Sequence, residues 1–399
     1  MAGDIVATVA FAIWVYLLVG RGGFWLARER DTRNELGPPR TWPRVVAVIP
    51  ARDEAETIGT TVGSLLAQAY AGPFSIVLVD DESRDGTAEA ARAAAAHAPD
   101  RLTVLAGRPL PAGWTGKLWA VHQGVAHATG TSEPPDYLLL TDADITYAPD
   151  ALARLVARAQ TSGTVLTSLM AKLRCVSFAE RCFVPAFVYF FQMLYPFAWV
   201  NRRTHTMAGA AGGCMLVRPD ALRAAGGIAA IRGALIDDCA LGAALKEQGP
   251  IWLGLTDRVT SARPYEHVGD IRRMVARSAY AQLGYSALNL IGTTLGMGAT
   301  FLAGPVMALF GHGFAQLLGL ATWALIALSY QPMLRFYRAS PLWGPALPAI
   351  ALAYMVFTLD SAYQHGRGRG GLWKGRVQAQ AQARADAQAG ARAKVAEQK

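Results

Sequence analysis

Residues 137–144 read Tyr137-Leu138-Leu139-Leu140-Thr141-Asp142-Ala143-Asp144. An apolar run that breaks directly into two carboxylates two residues apart has the form of a buried strand with a polar site at its tip. The same form recurs outward in both directions. Residues 45–49 are a β-branched run ending at Pro50, and residues 75–79 are a second run ending in Asp80-Asp81. Further strands are expected at 102–106, 137–141 and 164–170, with helices at 54–68, 87–97, 117–128 and 151–160. Repeated strand–helix units predict an α/β domain with a mostly parallel sheet and helices on both faces. Ligands of such sheets bind at the carboxyl ends of the strands, where both acidic clusters fall.

The rest of the chain has a different composition. Of 399 residues, 52% are hydrophobic and only 17% charged, below the quarter or so usual in soluble proteins. Residues 278–334 contain no Asp, Glu, Lys or Arg, a stretch long enough for two membrane helices and a turn. These are expected at about 288–310 and 314–334. A third run, 342–359, carries Pro345 and Pro348 and reads either as a span or as a re-entrant segment. Residues 5–20, extended by 24–26, read as an uncleaved anchor, because Asp4 stands where a signal peptide would be basic. Arg21, Arg28, Arg30, Arg33, Arg40 and Arg44 follow it, which places the N-terminus outside and the next domain in the cytoplasm. The run 183–200 is uncharged and aromatic-rich. As a span it would put Asp144 and Asp238 on opposite sides of the membrane, so an in-plane helix is expected.

The organisation expected is therefore an anchor and basic linker (1–43), a catalytic domain (44–280), a C-terminal membrane region of two or three helices (281–363), and a basic Ala/Gln-rich tail (364–399). The net charge is +9, and the tail alone has eight Lys/Arg against two Asp/Glu. With no nucleic-acid module or aromatic-basic interleaving, this charge fits an anionic lipid surface rather than nucleic acid. Cys175, Cys182, Cys214 and Cys239 have neither zinc-finger nor C-x-x-C spacing and read as small buried residues in a reducing compartment.

Three acidic constellations carry candidate chemistry. Asp142 and Asp144 can hold Mg²⁺ or Mn²⁺ while the ion bridges diphosphate oxygens; a turn before the next helix would explain them less well. Asp80 and Asp81, in the run Asp80-Asp81-Glu82-Ser83-Arg84-Asp85-Gly86-Thr87, can accept hydrogen bonds from a nucleotide base and ribose. N-capping accounts for Asp85 or Thr87 but not for the pair at the strand end. Asp237-Asp238 opens a helix, and either the helix dipole or a general base accounts for it. Lys117 follows Gly113 and Gly116, where backbone can approach a phosphate. Arg272, Arg273 and Arg277 suit a diphosphate or lipid headgroups equally, and residues 209–214 suit an acceptor or a tightly packed strand equally.

Together these motifs resemble family 2 glycosyltransferases of the GT-A fold. The resemblance covers roughly residues 44–280 and rests on four segments in order: Pro50-Ala51-Arg52-Asp53-Glu54, residues 79–87, Thr141-Asp142-Ala143-Asp144, and Asp237-Asp238. It implies a nucleotide-sugar site of Pro50, Arg52, Glu54, Asp80, Asp81, Lys117, Asp142 and Arg277. It also implies a metal at Asp144 and Asp142 and a base at Asp238 beside Asp237. The segments Gly113-Trp114-Thr115-Gly116-Lys117-Leu118-Trp119-Ala120-Val121, residues 187–201 and residues 233–241 are more closely similar to the hopanoid-biosynthesis-associated members. That implies a bacterial inner membrane, a nucleotide-sugar donor with a UDP-sugar favoured, and a lipid acceptor. Only Arg277 survives of the Gln-x-x-Arg-Trp found in processive members, which favours single-sugar transfer. The alternatives are a polyprenyl-phosphate sugar synthase and a catalytically silent membrane scaffold.

Overall fold

Every residue of strand β1 (Val45–Ala51) is buried, which marks it as a central strand covered on both faces. The computed structural model describes residues 1–32 and 36–368, and the backbone of residues 372–373 and 376–377. The tail expected beyond residue 377 lies outside the described residues. Strands β2 (Phe74–Asp80) and β3 (Leu102–Ala106) follow; then come β4 (Tyr137–Leu140), β5 (Ile145–Tyr147), β6 (Leu166–Lys172), β7 (Met215–Val217) and β8 (Ile251–Ser261). Among the described residues these form one sheet in the order β3-β2-β1-β4-β7-β6-β8-β5. β1, β2, β3 and β4 run parallel, as do β6 and β8, whereas β7 is antiparallel to both its neighbours and β5 to β8. The fold is thus the mixed, mostly parallel GT-A sheet with flanking helices.

The register positions the site. Ala51 at the end of β1 stands beside Asp80 at the end of β2, so the two strand tips open on one edge. The helix Gly116–Thr129 lies across β1 and β2, and Gly124 makes this possible. A Cβ there would lie 2.5 Å from Val48 Cγ1 and 3.1 Å from Val79 Cγ2. Its first turn, which carries Lys117, is fixed by Thr115, whose hydroxyl accepts from the Leu118 amide at 3.3 Å.

The chain divides into two units. Among the described residues the sheet unit comprises 30–32, 36–173 and 200–263. The helical unit comprises Met1–Glu29, Arg174–Trp199 and Pro264–Gly370. Among the described residues of the helical unit, Ala2–Gly20, Ala287–Phe310, Gly313–Phe336 and Trp343–Gly366 are long and apolar enough to cross a membrane. The run at 342–359 is thus one continuous helix extending to Gly366, with Pro348 inside it. Pro345 falls in its first turn, where no intrahelical N–H bond is lost. The helices on either side of residues 311–312 pack backbone to backbone: a Cβ on Gly319 would lie 2.4 Å from the Ala308 nitrogen.

The apolar run read over 183–200 starts earlier and stops sooner, as the helix Phe178–Leu194. Ser177 and Glu180 form a capping box that begins it, and Pro196 disfavours helical backbone at Tyr195, where it ends. The fully buried Glu180 carboxylate accepts from the amides of Val176, Ser177 and Tyr265 and pairs with Arg174 at 3.0 Å. It ties the segment that begins this helix to the one that leads into the helix Val268–Gln282.

Substitution Gly124→Ala should destabilise the sheet unit by about 1–3 kcal/mol through overpacking against Val48 and Val79. A thermal melt of the detergent-solubilised protein checks this; an unchanged Tm would show that the helix can lift off the sheet at no cost.

Candidate active site

Four chain segments converge at the carboxyl ends of β1, β2 and β4. Lys117 is their meeting point. Its ammonium lies 2.8 Å from Asp142 Oδ1 and 3.0 Å from Asp237 Oδ2, bridging the carboxylate after β4 to the one opening the helix Asp237–Lys246. The two carboxylates hold the lysine firmly protonated and outweigh the burial that opposes its charge. Pro50, Lys117, Asp142, Gly212 and Asp237 line one cavity.

Asp238 lies on the same side. Its Oδ2 accepts from the Gly212 amide at 3.0 Å and its Oδ1 from the Cys239 amide at 2.7 Å. The residue keeps some solvent-accessible surface, yet its carboxyl is pushed up to about 6. Burial is the main cause and the charge of Asp237 the second; Lys117 and the two amides pull the other way. Gly212 comes close to both groups: a Cβ there would lie 3.5 Å from Asp238 Oδ2 and from Lys117 Nζ. The segment 209–214 is therefore a loop leading into β7, not a strand, and it presents an amide to the carboxylate.

Asp144 faces a different partner. Its Oδ2 accepts from Arg263 Nε at 2.8 Å and from Ser261 Oγ at 3.3 Å. Arg263 Nη2 also pairs with Glu54 Oε1 at 2.7 Å, so one guanidinium joins the end of β1 to the Asp-x-Asp segment. Arg263 and Ser261 are absent from the sequence reading. The available signal was a cation immediately after an apolar run at 251–261, but that strand is interrupted by Asp257 and Arg258 and does not alternate cleanly.

The residues expected on the nucleotide side form a second network. Arg52 donates to the Asp81 carbonyl and lies 3.6 Å from Asp81 Oδ2, and Asp81 is fully buried. Asp80 Oδ1 accepts from the Ser83 amide at 3.0 Å. The helix Thr87–Ala94 has Gly86 as its N-cap with no side-chain cap bond, contrary to the capping expected of Asp85 or Thr87; instead Asp85 accepts from the Ala55 amide at 2.9 Å and Thr87 Oγ1 from the Glu54 amide at 2.9 Å, at the start of the helix Ala55–Leu66. Asp53, with a left-handed φ of 51°, turns the chain between them and accepts from the Arg84 amide at 2.9 Å. The sheet unit thus brings together Pro50, Arg52, Glu54, Asp80, Asp81, Lys117, Asp142, Asp144, Asp237 and Asp238. Arg277 lies exposed on the helix Val268–Gln282 of the helical unit.

A divalent ion fits this donor set under one condition. Among the described residues no three His, Cys, Asp or Glu side chains come together to hold a metal alone. Asp142 and Asp144 supply hard carboxylate oxygens, which suit Mg²⁺ or Mn²⁺, and the remaining positions are left for water and diphosphate oxygens.

Residues 46–226 match the family model described as Glycosyl transferase family 2. The mannosyltransferase PcManGT from Pyrobaculum calidifontis, solved with GDP-Man and Mn²⁺, superposes with a TM-score of 0.57 at 22% identity, covering 91% of this chain and 99% of that one. S. aureus TarS 1-349, solved with UDP-GlcNAc, gives a TM-score of 0.39 at 14% identity over 82% of this chain and 92% of that one. No curated protein gives a significant sequence match. Residues 46–226 thus form a glycosyl transferase family 2 domain, built on a GT-A sheet.

Proposed function

We propose that this enzyme transfers a single sugar, with inversion, from a nucleotide-diphosphate sugar to a lipid acceptor in a hopanoid-related pathway. We place it at the cytoplasmic face of a bacterial inner membrane. The observation that carries the chemistry is Asp238, a carboxyl tuned to about 6 beside a lysine-bridged diphosphate site. The lipid acceptor is supported by the four apolar helices in the same chain, each long enough to span a bilayer.

In this reading Arg52, Asp80 and Asp81 receive the nucleoside, and Asp142 and Asp144 hold the divalent ion. That ion, when bound, offsets negative charge on the leaving nucleoside diphosphate. Lys117 supplies a fixed positive charge beside the same oxygens, already desolvated and oriented. Asp238 takes the proton of the acceptor hydroxyl as that oxygen attacks the anomeric carbon from the face opposite the diphosphate. A base must be ionised before the reaction yet able to accept a proton during it, and a value near 6 meets both needs at neutral pH.

The test is release of nucleoside diphosphate from UDP- and GDP-sugars by the purified protein in detergent, with Mn²⁺ or Mg²⁺ and a hopanoid-containing bacterial lipid extract. Release should require the lipid and disappear in Asp144→Ala. Asp238→Asn should lower kcat by about 10²–10⁴-fold while leaving nucleotide binding intact. Substantial turnover by Asp238→Asn on a polyprenyl phosphate would instead favour a polyprenyl-phosphate sugar synthase, whose acceptor arrives already ionised.

The pH profile follows from the same carboxyl. Asp238 must be deprotonated to act, so kcat should fall as the pH drops through about 6. Asp237→Asn removes a negative neighbour, lowers the affinity of Asp238 for its proton, and should move the acid limb to lower pH. An acid limb that stays put in Asp237→Asn would mean that a different group is titrating.

A further inference from the structure

Arg263 is placed where a cation would otherwise be required. Its guanidinium contacts Asp144 at 2.8 Å and Glu54 at 2.7 Å, and its main-chain amide donates to Ser261 Oγ at 3.3 Å, the hydroxyl that also donates to Asp144. Asp144 is 9% exposed while the Arg263 side chain is 34% exposed, so the pair is partly shielded from water. The second carboxylate of the Asp-x-Asp pair is handled alike, with Lys117 at 2.8 Å from Asp142. Each carboxylate that would hold the divalent ion is therefore already paired with one of the chain's own cations, which it shares with a second acid.

We infer that Arg263 is an internal counter-cation that keeps Asp144 closed to a divalent ion until a nucleoside diphosphate arrives, so that the metal binds only together with the donor. This rests on the reading of Asp142 and Asp144 as metal ligands. Three groups are involved. The metal competes with the guanidinium for Asp144. Alone it must displace a partly shielded ion pair and still leaves a positive Arg263 beside it. A diphosphate changes the balance, because its negative charge gives the metal further oxygen ligands and gives Arg263 a new anionic neighbour. Glu54 keeps the guanidinium at the site from the other side, so releasing Asp144 does not send it into solvent. Arg263 is on this account a positioning residue. It sets the order of binding and takes no part in the bonds made or broken.

The experiment measures Mn²⁺ binding by electron paramagnetic resonance on the full-length protein in detergent, first without nucleotide and then with UDP or GDP. The native protein should bind Mn²⁺ poorly alone and well with the cognate nucleotide. Arg263→Gln should tighten nucleotide-free Mn²⁺ binding by about tenfold or more, the scale on which one contacting charge changes a carboxylate's affinity for a cation. A residue with a merely structural role would change it in the opposite direction, since a disturbed site binds metal less well. Arg263→Lys retains the charge and should stay near the native value. Nucleotide-free binding in Arg263→Gln equal to or weaker than native, or tightening in Arg263→Lys to the level of Arg263→Gln, overturns the inference. If nucleotide binds but neither the native protein nor Arg263→Gln takes up Mn²⁺ with it, the metal reading fails, and this inference with it.

Discussion

A single ammonium group holds the site together. Lys117 lies between Asp142 and Asp237, two carboxylates drawn from segments almost a hundred residues apart in the chain. Without a cation between them these acids, with Asp238 one residue on, would repel one another at short range in a poorly hydrated cleft. With it, the loop after β4 and the start of the helix Asp237–Lys246 become two ends of one ion pair network. Burying a lysine is costly, and the cost is offset only because both partners are in direct contact. The same contacts that assemble the site bring Asp238 near enough to a positive charge to limit how far burial raises its carboxyl.

The sheet supplies the precision that this network needs. β1 is buried throughout and pairs in register with β2 and β4, so the strand tips carrying Arg52, Asp80 and Asp142 are fixed relative to one another. Lys117 projects from the first turn of a helix that Gly124 allows to seat directly on Val48 and Val79. Placing catalytic groups at the ends of rigid elements, with short capped turns between them, limits the motion of each side chain. Asp85 and Thr87 serve that purpose by fastening the start of the helix Ala55–Leu66.

What was legible in the sequence was what is local. The run 137–144 announces a strand and its acidic tip because burial and charge change within two residues. Asp237-Asp238 announces a helix start for the same reason. Lys117 stands out because of its flanking glycines. The elements that escaped reading include short ones and also β8, eleven residues long, whose run is broken by Asp257 and Arg258. β5 and β7 are three residues each, below any window in which alternation can be seen. Arg263 meets Asp144 across 119 residues of sequence and Glu54 across 209, and no periodicity encodes such a meeting. The start of the helix Phe178–Leu194 is an intermediate case. Ser177-Phe178-Ala179-Glu180 has the spacing of a capping box, but the uncharged run beyond it drew the boundary five residues late.

The distribution of charge explains why a metal belongs in this reading at all. In the linked contacts of the site, Glu54, Asp142, Asp144, Asp237 and Asp238 stand against two cations among the described residues, Lys117 and Arg263. The site is therefore net negative even with Asp238 protonated. A nucleoside diphosphate adds more negative charge, and its approach to such a cleft would be opposed electrostatically unless a cation came with it. Replacing acids by neutral residues would remove the opposition, but it would also remove the base and the partners that hold Lys117 in place. A divalent ion carried in with the diphosphate answers the charge imbalance while leaving every carboxylate in its position. On the proposed reading the excess of acids is not a defect of donor binding but the feature that would make donor and metal arrive as one ligand.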